Sequence, residues 1–175
     1  TAQPVPAEII ERQHAALFDR GGEAALRYLR ETRGFQDATL RAFRIGYEPR
    51  RGPNGAIAIP YLLAGQAVGI KYRLMPPGDS ERRYEREKGH EHPLFNADAL
   101  DGEFRSVLVT EGELDCLAAS QYDLGRPCVS VPNGVTASLN LVAETLVQFD
   151  DVILALDMDA KGEEGTRIHR LVESY

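Results

Sequence analysis

The sequence predicts an α/β chain. Its C-terminal half reads as a parallel sheet wound with helices, and the residues before it as a mixed α+β region. Three observations carry this. Val107, Leu108 and Val109 form one short apolar run, and Val152 to Leu156 another; strands buried on both faces read as continuous runs of this kind. Each run leads through carboxylates into a helix start, with Glu111 and Gly112 after the first and Asp157, Asp159 and Gly162 after the second. Upstream, Ala56–Leu62 and Gln66–Met75 flank an Ala64-Gly65 turn, the pattern of a β-hairpin.

The 175 residues are enough for one domain or two small subdomains. With 43% hydrophobic and 27% charged residues, the composition is that of a folded water-soluble chain. No apolar run approaches the roughly 20 residues of a membrane helix, and no signal-peptide pattern opens the chain. Cys116 and Cys128 form neither a C-x-x-C pair nor a zinc spacing with histidine; both read as small buried residues of a reducing compartment. No zinc is expected within the chain. The net charge is −7, unevenly spread: residues 1–102 carry 15 Lys and Arg against 14 Asp and Glu, and residues 103–175 carry 5 against 13. An acidic half suits a metal site. A mixed half with local basic clusters still suits phosphate contacts, so overall acidity does not exclude nucleic acid.

Taken in order, Pro4-Val5-Pro6 opens a helix whose stripe is Ile9, Ile10, Gln13, Ala16 and Leu17. Gly21-Gly22 ends it. A second helix spans Ala24–Glu31, and Asp37 reads as the N-cap of a very short third helix through Leu40. Phe43 to Pro49 reads as strand then turn. In the hairpin, Pro60 points to an edge or a bulge. On its second strand Gly69, Lys71 and Arg73 share one face, and Ile70, Tyr72 and Leu74 the other. By alternation alone the two basic residues are a solvated face. From Lys71 to His92 six Lys and Arg stand against five acidic residues. This alternation reads either as a salt-bridged surface or as a loop around phosphate, where an arginine such as Arg83 can clamp with two N–H groups. His90 and His92 read as surface histidines.

The C-terminal half follows as strand Arg105–Thr110, helix, strand Cys128–Val131, helix Ser138–Phe149, strand Val152–Leu156 and a last helix. Thr110 and Glu113 fit a capping box, with Thr110 as N-cap and Glu113 three positions into the helix. That box leaves Glu111 unexplained, and Asp115, four residues on, shares a helix face with it. If the strands run parallel, Glu111, Asp157 and Asp159 gather at the carboxyl edge, where open α/β sheets bind ligands. Carboxylates so gathered suit Mg²⁺ or Mn²⁺, a phosphoryl-transfer site in outline. Pro132-Asn133-Gly134 reaches the same edge and reads equally as a plain turn or a phosphate contact. Lys161 reads as solvated.

These blocks resemble a known family. Tyr28-Leu29, Arg33-Gly34 and Phe43-Arg44-Ile45-Gly46-Tyr47-Glu48-Pro49 are similar to the opening of the RNA-polymerase domain of DnaG-type primases, with Glu48 where alanine is usual. Gly69-Ile70-Lys71-Tyr72-Arg73 resembles the basic strand of bacteriophage primase–helicases. Arg83-Tyr84 and Leu94-Phe95-Asn96 resemble the block that follows. Thr110 to Asp115 with Asp157-Met158-Asp159 resembles the TOPRIM signature. The resemblance implies a TOPRIM Rossmann-like sheet over residues 103–175, incomplete at its C-terminus, behind a primase N-terminal subdomain over 1–102. It implies Glu111, Asp157 and Asp159 as catalytic residues, those three with Asp115 around Mg²⁺ or Mn²⁺, and Lys71, Arg73 and Arg83 on nucleotide or template phosphates. It further implies primer synthesis from NTPs on single-stranded DNA, a replicative helicase partner in cis or trans, no membrane, and the cytoplasmic replisome of a bacterial or phage-infected cell. The family's zinc-binding module is not in this sequence, and the chain reads as a piece of something longer, weakly active or inactive alone. Two other classes stay open: a non-catalytic DNA-binding module of a helicase, and a TOPRIM nuclease.

Overall fold

The computed structural model describes residues 4–76, 84–86, 93–131 and 139–155. The chain forms two compact units, Thr1–His92 and Pro93–Tyr175.

In the first unit, helices α1 (Ala7–Phe18), α2 (Glu23–Arg27) and α3 (Asp37–Ala42) accompany an antiparallel sheet. Its order is β1 (Gly46–Glu48), β2 (Ala56–Leu63), β3 (Gln66–Leu74) and β4 (Tyr84–Arg86). The hairpin forms at the expected turn, where Ala64 and Gly65 take φ of 50° and 73°, the left-handed pair that a two-residue hairpin loop requires. Pro60 lies two residues past Ala58, the last partner of β1, and next to a register shift at Tyr61/Leu62. Its missing N–H therefore falls where the ladder is already interrupted. Ile10 of α1 packs with Ala56, Ala58, Ile70 and Tyr72 on one sheet face. Gly46 makes this approach possible, since a Cβ there would sit 2.8 Å from Gln13 Cβ and carbonyl carbon.

Two expectations change in this unit. The second helix does not run on as α-helix; Tyr28–Thr32 is a π-turn, closed by the Arg33 N–H donating to the Tyr28 carbonyl at 3.1 Å. Asp37 is the first residue of α3 and Gln36 its N-cap, because Arg30 engages both carboxylate oxygens of Asp37 at 2.7 and 2.5 Å.

The second unit holds a parallel sheet, β6 (Cys128–Ser130), β5 (Ser106–Thr110) and β7 (Asp151–Ala155), with β5 in the middle. Helices α4 (Glu113–Ser120) and α5 (Leu139–Leu146) make the crossovers. Val107, Val109, Val129, Val131, Leu146 and Phe149 form the core with Leu94. Residues 93–102 lie in this unit. Leu94 is in its core, and Phe95 exchanges two backbone hydrogen bonds with Ser130. No helix among the described residues is long and apolar enough to cross a membrane.

Candidate functional site

The acidic edge is built by the register of the parallel sheet. Thr110 stands beside Ser130 on one side and Ala155 on the other. All three strands therefore finish together, on the edge where such sheets bind ligands. Glu111 is the next residue after β5 and is exposed. Asp115, also exposed, sits in the first turn of α4, where the helix dipole favours negative charge. Gly112 makes room for it: a Cβ at Gly112 would lie 2.8 Å from Asp115 Oδ2. Asp157 and Asp159 lie outside the described residues, but the strand that leads to them ends beside Thr110. Among the described residues no group of three or more metal-ligating side chains is gathered. Glu111 and Asp115 supply two carboxylates, a donor type that fits a hard divalent cation.

The capping box does not form. The N-cap is Gly112, and Glu113 is the first helical residue, buried at 1% exposure. The Thr110 hydroxyl faces the carbonyl oxygens of Gly112 at 3.2 Å and Val129 at 3.3 Å. Thr110 belongs to the strand, and its side chain serves the neighbouring strand instead of the helix. Cys116 and Cys128 are buried and unbonded as disulfide, as expected. Contact with Cys128 and burial push the Cys116 thiol well up.

The basic face belongs to the first unit. Lys71 is only 8% exposed, so the solvated-face reading fails for it. In the ladder Ile59 lies opposite Lys71 and Ile57 opposite Arg73, both isoleucines fully buried. Lys71 Nζ sits 4.6 Å over the Tyr84 ring, a contact that steadies a desolvated ammonium. Arg73 donates from Nη1 to the Tyr84 hydroxyl at 2.6 Å and from Nη2 to the Tyr28 hydroxyl at 3.1 Å. Burial lowers its pKa, but Tyr84 and Tyr28 outweigh that, and the net shift is upward. Arg83 lies outside the described residues, as do His90, His92, Pro132 to Gly134 and Lys161.

On the other face of the same sheet Arg51 stacks 3.7 Å over the Tyr72 ring and pairs with Glu85 at 3.3 Å. There α1 and the 49–52 turn flank an open cleft of about 440 Å³, lined by Arg12, Gln13, Glu48, Arg50, Arg51 and Tyr72 among others. Gln13 Nε2 donates to Glu48 at 3.1 Å and to the Tyr72 hydroxyl at 3.0 Å. Burial raises the Glu48 pKa, but the bonds from Gln13 and the Arg50 N–H and the charges of Arg12 and Arg50 outweigh it, leaving Glu48 below the usual carboxylate range. Glu48 thus ties β1 to α1, a role that its position on a predicted turn did not suggest.

A family profile described as Toprim-like matches residues 108–174. No curated protein matches the chain at the sequence level. Among solved structures, the DnaG catalytic core superposes with a TM-score of 0.74 at 19% identity, covering 93% of this chain and 64% of that one. The chain has the fold of a DnaG primase catalytic core. A DnaG primase catalytic domain bound to single-stranded DNA gives 0.73 at 19% identity, over 92% of this chain and 62% of that one. A chain in the structure of bacteriophage T7 lagging-strand DNA polymerase interacting with the primase domains of two gp4 subunits, bound to an RNA/DNA hybrid and dTTP, gives 0.63 at 26% identity, over 81% and 71%. This chain therefore spans somewhat less than two thirds of the two DnaG structures.

Set on this primase-core fold, the sequence missed Tyr28 and Tyr84 as partners of Arg73. Tyr84 was within reach, one residue after Arg83 in a strand that pairs Arg73 with Tyr84. Tyr28 lies 45 residues from Arg73, and no periodicity links them.

Proposed function

We propose that this chain is a DNA primase core that joins ribonucleotides on a single-stranded DNA template. The observation that carries the proposal is the register ending β5 and β7 side by side at Thr110 and Ala155. It sets Glu111 on the same edge as the strand leading to Asp157 and Asp159. In this reading residues 1–102 supply the basic strand and residues 103–175 the acidic edge.

The reaction joins a primer 3′-hydroxyl to the α-phosphate of an incoming NTP and expels pyrophosphate. Glu111, Asp115, Asp157 and Asp159 would hold Mg²⁺ or Mn²⁺. When bound, such a cation lowers the hydroxyl pKa and offsets charge on the phosphate. Lys71, Arg73 and Arg83 offset the negative charge of the triphosphate and the template backbone. Arg73 suits this best, because its flat guanidinium presents two N–H groups at once to a phosphate. Glu111 is alternatively the base that takes the hydroxyl proton. The similar DnaG domain bound to single-stranded DNA and the T7 primase domains on an RNA/DNA hybrid support this class of template and product. The same reading includes a replicative helicase in cis or trans and a place in a cytoplasmic replisome.

The test incubates the protein with single-stranded DNA, labelled NTPs and Mg²⁺ or Mn²⁺. Short RNA products that disappear with Asp157→Asn support the primase reading. Shortened template in place of RNA would make it a nuclease, and DNA binding without either product a binding module. Undiminished synthesis by Asp157→Asn would remove Asp157 from the reaction.

A further inference from the structure

We infer that Tyr28 is a positioning residue for phosphate capture: its hydroxyl fixes the rotation of the Arg73 guanidinium. This rests on the proposed role of Arg73 toward nucleotide phosphates and deepens it.

An arginine side chain is long, and an unrestrained guanidinium loses rotamer and torsional freedom each time it grips an anion. Arg73 is already restrained. Its two terminal nitrogens each give one N–H to a different tyrosine hydroxyl, Nη1 to Tyr84 and Nη2 to Tyr28. Two anchors on two nitrogens fix a planar group in orientation as well as position. A guanidinium has five N–H donors, so three remain for an anion: Nε–H and one on each terminal nitrogen. Both anchoring partners are neutral. A carboxylate in either place would neutralise the cation and compete with phosphate, whereas a phenol holds the geometry and leaves the charge. The ring centroids of Tyr84 and Tyr28 lie 5.2 and 5.9 Å from Arg73 Cζ, adding a cation–π contribution that also keeps the charge.

The two anchors differ in how they are held. Tyr84 is in β4 directly opposite Arg73, so the register of this antiparallel pair delivers it. Tyr28 comes from a separate helix and opens the π-turn. The wider turn closes on its own carbonyl through the Arg33 N–H. The next residue, Leu29, is fully buried, and its carbonyl accepts from the Phe35 N–H at 2.9 Å. The backbone of Tyr28 is thus tied by one long turn, and the chain after it by another. Single π-turns carry a cost relative to α-helix and concentrate at functional sites. Here the turn coincides with the residue whose hydroxyl reaches Arg73.

The experiment measures binding of inorganic tripolyphosphate and of metal-free ATP to the full chain by titration calorimetry. It compares wild type with Tyr28→Phe, Arg73→Ala and the double variant, and checks each by thermal melting. Losing one anchor while keeping the ring means that the guanidinium must be ordered again on binding, which should weaken both ligands by about two- to tenfold. Arg73→Ala should weaken them more. In the Arg73→Ala background Tyr28→Phe should change nothing further. A loss with Arg73→Ala but none with Tyr28→Phe overturns the positioning role and leaves the phosphate role of Arg73 intact. Additive losses also overturn it, because Tyr28 would then act independently of Arg73. No loss with Arg73→Ala overturns the phosphate reading itself, and the positioning role with it. One measurement needs no variant. In wild-type protein the Arg73 guanidinium should give resolved, separate terminal N–H signals by nitrogen-15 NMR, and averaged, freely rotating signals would contradict the inference.

Discussion

The two sheets place charge in opposite ways. In the parallel unit, charge is kept out of the strand interiors and placed at their ends: Val107 and Val109 are fully buried, Asp151 opens β7, and Glu111 begins where β5 stops. In the antiparallel unit, charge is built into the strand itself. Lys71 and Arg73 lie within the second half of β3, opposite buried isoleucines, and are stabilised by tyrosine rings and hydroxyls. A strand-end carboxylate can meet a ligand without disturbing the core. A strand-borne cation must be held by partners, and those partners come from elsewhere in the chain. The first design separates stability from chemistry, and the second joins them.

Four substitutions test this contrast, the largest effect first. Val109→Ala removes two methyl groups from the parallel core and should cost about 2–3 kcal/mol in urea unfolding. A cost under about 0.5 kcal/mol would show that this sheet is not the packed frame described. Gly46→Ala pushes a methyl into the backbone of α1 at Gln13 and should cost about 1–3 kcal/mol; unchanged unfolding would deny the close approach. Glu48→Gln should cost under about 1 kcal/mol at neutral pH. The Glu48 pKa is lowered in the folded chain, so its contribution is fully present above the unfolded value of about 4.3 and is lost as pH falls through the folded pKa. The gap between wild type and variant should therefore close on acidification, and a gap that widened would reverse the assigned sign. Lys71→Met should change stability least, by less than about 1 kcal/mol, since a buried ion replaced by an apolar group of similar size is often neutral. It should still weaken tripolyphosphate binding. A loss above about 2 kcal/mol without weaker binding would make Lys71 purely structural.

The same contrast decides what could be read in the sequence. Parallel strands announce themselves as apolar runs, and Glu111 was legible because a carboxylate directly after such a run has no packing reason to be there. The hairpin was legible from Ala64-Gly65 and the alternation around it. The capping box at Thr110 was misread because local spacing cannot show that a threonine hydroxyl turns toward Val129 in the next strand. Lys71 looked solvated because alternation gives the face of a residue but not what covers that face. The π-turn at Tyr28 had no signal of its own: nothing in the residue types of Tyr28–Thr32 distinguishes a π-turn from α-helix.

The role proposed for the acidic edge at Glu111 is metal-dependent nucleotidyl transfer. The most direct measurement compares wild type with Glu111→Gln in dinucleotide formation on single-stranded DNA, across a titration of Mg²⁺ or Mn²⁺. If Glu111 holds a catalytic cation as proposed, its loss should lower the rate at saturating metal at least about a hundredfold, with the thermal melt unchanged. A Glu111→Gln protein that forms dinucleotide at the wild-type rate and with the same metal dependence would remove Glu111 from the chemistry.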